Sequence, residues 1–255
     1  TLEDGAIPIM NRLMFVCVLF LTVCSFSVNA WAKNQVTFTG CVEIEKTLII
    51  EGKASLFDLM VSAEIKGCAY MFGAAWYESE RIAEQARLKT ELLDDIERIK
   101  ISVKKESLQR YLENLSVLIA NQQPTGRILG ADLDLFHVEM LPLKNKIITK
   151  DAHFHFPHQP NFVNLIGFSD KKAPYDSSLS VEDIVTQHAR CSDCHRGWVW
   201  IVQPNTTIQK VKVGWWTNQT YYAAPGAWLI APLSKDVYSD LVPQFYQKLT
   251  QWLAL

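Results

Sequence analysis

The sequence predicts an α+β chain. Two small units share one order of elements, a long helical run sits inside the first, and an amphipathic helix closes the chain. Three observations predict this. Alternating β-branched stretches at Val36–Cys41 and Lys46–Ile50 lead into an apolar, Ser-capped segment at Ser55–Glu64. A strand, a polar loop, a helix and further strands return in that order between Phe162 and Ala231. Between them, residues 76–119 keep a three-or-four apolar spacing with no Gly or Pro.

Each element has a local reason. Val36–Cys41 (VTFTGC) alternates and is β-branched. Lys46–Ile50 repeats the pattern, and Glu51-Gly52 turns out of it. In Ser55–Glu64, Ser55 caps a helix whose apolar face is Leu56, Leu59, Met60 and Ala63. A hairpin followed by a helix is how a β-grasp unit begins. The run from Trp76 carries Ile82, Ala86, Leu93, Ile96, Val103, Leu108, Leu112, Leu115 and Ile119, with mixed charge between them; it predicts two helices broken near Ile101–Lys105. Short strands are expected at Arg127–Leu129, Phe136–Glu139, Lys146–Ile148 and His153–Phe156. The second unit then reads as strand Phe162–Phe168, polar loop Asp170–Ser178, and helix Ser180–His188 with Asp183 three residues after Ser180. Strands at Trp198–Val202, Ile208–Trp216 and Ala227–Ala231 complete it.

The predicted organisation is therefore residues 1–32 as an upstream extension and signal peptide, 33–158 as a first β-grasp domain with a helical insertion at about 76–120, 159–233 as a second, and 234–255 as the amphipathic helix. The leader rests on Met10-Asn-Arg12, the apolar run Leu13–Phe26 and the small-x-small site Ala30-Trp31-Ala32. After cleavage no stable membrane span is expected. In the closing helix Val237, Leu241, Phe245, Leu249 and Trp252 form one stripe, with Val242 and Leu253 beside it. Asp236, Asp240, Gln244, Gln247, Lys248 and Gln251 make the other side too polar for a lone span. The stripe is expected to pack on the chain's own β-grasp domain, with membrane insertion or docking onto an export partner as the alternative, and Pro243 is the weak point of the helix.

Composition excludes some functions. Of the 255 residues 49% are hydrophobic, enough for a core, and the net charge of −2 gives no basic field for nucleic acid. Four cysteines follow the leader: Cys41, Cys68, Cys191 and Cys194. In an exported chain they suggest disulfides, and local pairing favours Cys41–Cys68 and Cys191–Cys194.

Candidate chemistry is sparse. Cys191-Ser-Asp-Cys194-His195 has the form of a c-type haem attachment motif, with His195 as axial ligand. The strand that starts at once with Trp198-Val-Trp200 favours a short disulfide instead; a thiol–disulfide redox role is the other alternative, though the thioredoxin-like setting of a CxxC opening a helix is missing. His153, His155 and His158 form HxHxxH, but alternation makes a polar outer face over Phe154 and Phe156 the simpler account, and no metal is assigned. Trp215-Trp216 could offer an aromatic sugar platform. Thr125-Gly126-Arg127 is a turn whose Arg could fix a carbonyl end or face a ligand carboxylate. Neither a Ser/His/Asp arrangement nor a carboxylate pair signals an enzyme.

With these residues assembled, the chain resembles the GfcC-like capsule-biosynthesis family. The resemblance is carried by the signal peptide, the first hairpin and helix, the helical insertion closing on Thr125-Gly126-Arg127, the strand region into Phe162-Val-Asn-Leu-Ile-Gly167, and Pro225-Gly-Ala-Trp-Leu229 with its terminal helix. It implies tandem β-grasp domains of the soluble-ligand-binding (SLBB) type found in outer-membrane polysaccharide export proteins. It implies a periplasmic, non-catalytic accessory of capsule or O-antigen assembly, partnered by capsular polysaccharide or the export machinery. Arg127 would be its functional residue. The cysteines, and the segment between Asp132 and Phe156, depart from the family's pattern.

Overall fold

A computed structural model describes residues 33–214, 219–238 and 240–255. The expected leader at 1–32, and Trp215 and Trp216, lie outside the described residues. The fold is α+β, with two main sheets and helices against both.

The first sheet uses β1 (Lys33–Gly40), β2 (Lys46–Glu51), β4 (Ala75–Tyr77) and β6 (Ala152–Phe156), in the order β2-β1-β6-β4. β1 and β6 run parallel at its centre, with Val36 opposite Ala152 and Gly40 opposite Phe156. Alternation sends Val36, Phe38, Phe154 and Phe156 inward, all fully buried. Thr37, Thr39, His153 and His155 go outward. Helix α1 (Leu56–Ser62) lays Leu56, Leu59 and Met60 on the inner face. Ser55 caps it by accepting the Asp58 N–H at 3.1 Å. A two-stranded pair, β3 (Ala54–Ser55) with β5 (Ile147–Ile148), sits beside it.

The second sheet repeats the plan with β7 (Phe162–Ile166), β8 (Lys172–Pro174), β9 (Trp198–Val202), β10 (Ile208–Lys212) and β11 (Trp228–Ile230), ordered β10-β9-β11-β7-β8. Again the opening and closing strands, β7 and β11, are parallel neighbours at the middle. One face packs on α5 (Val181–Gln187) through Val181, Ile184, Val199 and Ile201. Ser180 and Asp183 form the full reciprocal capping box at its start.

The other face of this sheet meets a third layer. Helices α2 (Ile82–Ser102) and α3 (Glu106–Asn121) pack as a hairpin, and α7 (Phe245–Ala254) packs against α2 and β9. Leu92, Ile96, Leu112, Phe245, Leu249 and Trp252 share one cluster with Ile166, Val202 and Ile230. The second sheet is thus covered on both faces, which is why β9 and β11 read as continuous apolar runs.

Several elements differ from expectation. Ala75–Tyr77 is a strand, so the helical run starts at Ile82. Within α2 the buried face runs through Gln85, Leu92, Asp95, Ile96 and Ile99, while Ile82 is exposed. Two polar residues on that face hide it from an apolar count; Asp95 is buried because Lys248 of α7 donates to it at 2.8 Å. Phe136–Glu139 belongs to a helix, α4 (Leu135–Met140), because Asp134 caps it by accepting the His137 N–H. The polar loop at 170–178 contains the edge strand β8. The closing helix is two pieces, α6 (Lys235–Tyr238) and α7, since Pro243 has no N–H to continue the ladder. The single stripe breaks there: Leu241 is 48% exposed while Val242 is buried. The apolar face does pack within the chain, against the helical hairpin as well as the sheet. No described helix is long and apolar enough to cross a membrane.

Candidate ligand groove around Arg127

The Thr125-Gly126-Arg127 turn follows α3 and is held from three sides. Gly126 has φ +81°, and a side chain there would run into the Glu78 carbonyl, so the turn requires glycine. Gln85 of α2, itself buried, accepts the Thr125 and Gly126 N–H groups at 3.0 and 2.7 Å and donates to the Arg127 carbonyl at 3.0 Å. The Thr125 hydroxyl donates to the Leu255 carbonyl at 3.0 Å.

Arg127 then ties two distant elements together. Its guanidinium donates to the Pro204 carbonyl, in the β9–β10 turn, and to the Ala254 carbonyl at 3.4 Å, at the end of α7. The last carbonyls of a helix carry partial negative charge, so a cation suits them. Burial lowers the Arg127 pKa from its usual value, and nearby Tyr77 opposes this. Among the described residues no carboxylate pairs with it.

Two adjoining cavities share Arg127. One, of about 170 Å³, is lined by Tyr70, Gln203, Pro204 and Trp228 among others. The larger, of about 370 Å³, is lined by Phe72, Asp132, His137, Lys144, Asn205 and Thr206 among others. The segment 70–74 and the turn 203–207 wall both, so the cavities form one groove with Arg127 between its halves. Thr206 has φ +70°, an uncommon conformation for a β-branched residue, and its hydroxyl accepts the Gly130 N–H at 2.8 Å. The Tyr70 hydroxyl is buried with no hydrogen-bond partner among the described residues. Burial pushes its pKa up to about 12, with Tyr175 adding to the effect.

The groove's carboxylates are engaged. Burial acts to raise the Asp132 pKa, but the Asp134 N–H, Lys144 and His137 outweigh it and hold the carboxyl below its usual range. Asp134 caps α4. A general acid for glycoside cleavage needs a raised pKa, the opposite of what Asp132 shows. Of the groove's aromatic side chains Phe72 is exposed, while Tyr70 and Trp228 are half-buried.

The other sequence-predicted residues lie apart from this groove. Cys191 and Cys194 are joined in a disulfide, Cα atoms 5.1 Å apart. Their loop staples the end of β11, with His195 N–H donating to the Pro232 carbonyl and Ser234 N–H to the Asp193 carbonyl. In this form neither sulfur is available for a thioether. The His195 Nδ1 accepts the Gly197 N–H at 3.0 Å. His153 and His155 do share the outer face, both bonded to the Thr39 hydroxyl at 2.7 and 2.9 Å. Cys41, Cys68 and His158 lie within metal-ligand distance of one another, but the two cysteines are a disulfide. Sequence reasoning missed Gln85, Tyr70, Phe72 and Trp228. For Gln85 a signal existed: it falls in register with Leu92, Ile96 and Ile99.

A search of curated proteins finds no match. A family model described as capsule biosynthesis GfcC C-terminal matches residues 169–254, the stretch from the β7–β8 turn through α7. Over that stretch the resemblance to the GfcC-like capsule-biosynthesis family is borne out.

Proposed function

We propose that this protein is a non-catalytic, periplasmic accessory of capsule or O-antigen polysaccharide assembly or export, and that it holds a polysaccharide strand or an export component in the groove around Arg127. The match of residues 169–254 to the capsule-biosynthesis model carries the reading. The groove supports it: two cavities that meet at Arg127 and draw on the same two segments suit an extended ligand. Two disulfides suit an oxidising compartment.

The tandem β-grasp organisation, with domains at 33–158 and 159–233, belongs to the same proposal. It is supported by the parallel central pair in each sheet, β1 with β6 and β7 with β11, and by a helix following each second strand. Trp215 and Trp216 remain proposed as a further sugar contact.

Deletion of the gene followed by a capsule-retention assay tests the role. Loss of surface capsule, restored by the wild-type gene and not by Arg127→Ala, is expected. Phe72→Ala tests the groove without touching the Arg127 bonds; it is expected to weaken binding of purified capsule polysaccharide by about tenfold, the range of one lost aromatic contact. Normal capsule in the deletion strain would overturn the role.

A further inference from the structure

The loop that joins α5 to β9, residues 188–197, gathers positive charge at one end of the second sheet. Arg190, His195 and Arg196 come from the loop, Lys210 and Lys212 from β10, and Lys235 from the start of α6. Arg196 and the three lysines are exposed, while Arg190 and His195 are half-buried. The groups whose charge acts on the His195 ring are Lys210, Arg190 and Lys235, and on Arg190 it is Arg196, so every one is a cation.

The loop is firmly built. The Cys191–Cys194 disulfide closes it, and the Cys191 N–H donates to the Gly167 carbonyl at 2.9 Å. Arg190 spans it, its Nη1 donating to the His195 and Arg196 carbonyls at 3.1 and 2.7 Å. The Arg190 Nε and Nη2 make no hydrogen bond among the described residues, and neither is sealed from solvent. That open edge of the guanidinium is one that a carboxylate takes with two parallel hydrogen bonds. Beside it, the His195 Nδ1 accepts the Gly197 N–H, so the neutral ring carries its proton on Nε2 as a further donor. The Lys210 ammonium is fixed 3.7 Å over the Trp198 ring, which lies 5.2 Å from the His195 ring.

The chain's own carboxylates leave this charge standing. Asp193, inside the loop, is taken by Lys105 and by the Ser107 and Ser192 hydroxyls. Asp170, on the adjoining β7–β8 turn, is bonded to His188 and Ser169. Asp236 is beside Lys235 in sequence, but none of the six basic residues forms an ion pair with it or with any other carboxylate among the described residues. Like charges this close act on one another even at physiological salt, where screening sets in over about 8 Å, and a bound anion relieves them. We propose that Arg190, His195 and Lys210 form a second binding site, apart from the Arg127 groove, for the carboxylate of an acidic sugar. The carboxylate lies on the Nε–Nη2 edge of Arg190, with the His195 Nε2–H and the Lys210 ammonium beside it. That the anion belongs to a sugar rests on the capsule reading above; that the site takes a carboxylate does not.

The test is titration calorimetry of the full protein, its disulfides formed, with tetragalacturonate, neutral maltotetraose and tetraglutamate. The wild type is expected to bind tetragalacturonate at least tenfold more tightly than either of the others. Arg190→Lys, which keeps the charge and loses the fork, should weaken that binding about tenfold. Lys210→Gln, at an exposed position, should weaken it about threefold, an effect that vanishes at high salt. Lys172→Gln, which likewise takes an exposed lysine from an aromatic ring, here Phe162, is expected to leave it unchanged. Thermal melts check that the variants fold. Wild type that does not bind tetragalacturonate, or that binds maltotetraose as well, overturns the proposal. Tetraglutamate bound equally well overturns it in favour of an acidic peptide. Arg190→Lys and Lys210→Gln that bind as the wild type does, or Lys172→Gln that loses as much as they do, overturn the place. Normal capsule in the deletion strain strikes the capsule role instead, and the calorimetry reads the carboxylate site whatever that strain shows.

Discussion

The two main sheets share a plan but not an environment. The first is covered on one face, and its other face carries Thr37, Thr39, His153 and His155 in a hydrogen-bonded polar ladder. The second is covered on both faces, by α5 on one side and by α2, α3 and α7 on the other. Sheets of like topology thus differ because a helical insertion from the first half of the chain packs on the second. The C-terminal helix lies in that contact, its Lys248 reaching Asp95 and its Trp252 indole donating to Gln122 at 2.6 Å. Arg127 stands where these parts meet, which joins the groove to the packing of the third layer.

The largest expected effect comes from breaking that layer. Phe245→Ala removes a fully buried ring and should cost about 3–5 kcal/mol in urea denaturation. Leu241→Ala, four residues earlier on the expected stripe, should change stability by no more than about 0.5 kcal/mol, because its side chain is half exposed. Equal losses at the two positions would restore the single continuous stripe.

The disulfides should also differ between the halves. Cys41 and Cys68 are 27 residues apart and Cys191 and Cys194 only 3. On loop-closure entropy, replacing the first pair by serine should cost about 3–4 kcal/mol and the second about 2. Melting of the paired variants reads the difference directly.

Gly126→Ala should cost about 2 kcal/mol, since the backbone is left-handed and the added carbon meets the Glu78 carbonyl. The same substitution at Gly130, also left-handed but facing open space, should cost about 1 kcal/mol. The smallest effect is one of pH. Burial lowers the pKa of His153 and His155, with the charge of His155 adding to the effect at His153. A lowered His pKa means that the unfolded chain binds more protons. The contribution is therefore complete above the unfolded value near 6.5 and is lost as pH falls through the folded values. A double Gln variant should flatten the stability profile below pH 6.5, and an unchanged profile would remove these histidines from the polar ladder's role.

Much of this was legible in residue order. The hairpin strands, the Ser55 and Ser180 caps, the helix break near Val103 and the inward Phe154 and Phe156 follow from periodicity and side-chain chemistry within a few residues. The candidate site was less legible. The sequence singled out Arg127 and offered the fixing of a carbonyl end as one of its roles. It did not indicate Pro204 and Ala254 as the partners, or Tyr70, Phe72 and Trp228 as walls, because these come from segments up to about 180 residues apart. Gln85 and Asp95 were passed over because burial of a polar residue depends on partners elsewhere in the chain.

The sequence by itself determined the α+β class, the hairpin-then-helix opening, the helical insertion and the GfcC-like resemblance, all of which rest on local patterns. Only the tertiary structure decided where the helical insertion packs, which residues of its buried face are polar and what Arg127 holds. Those depend on long-range contacts, in which an apolar face or a buried cation is satisfied by whichever distant surface matches it.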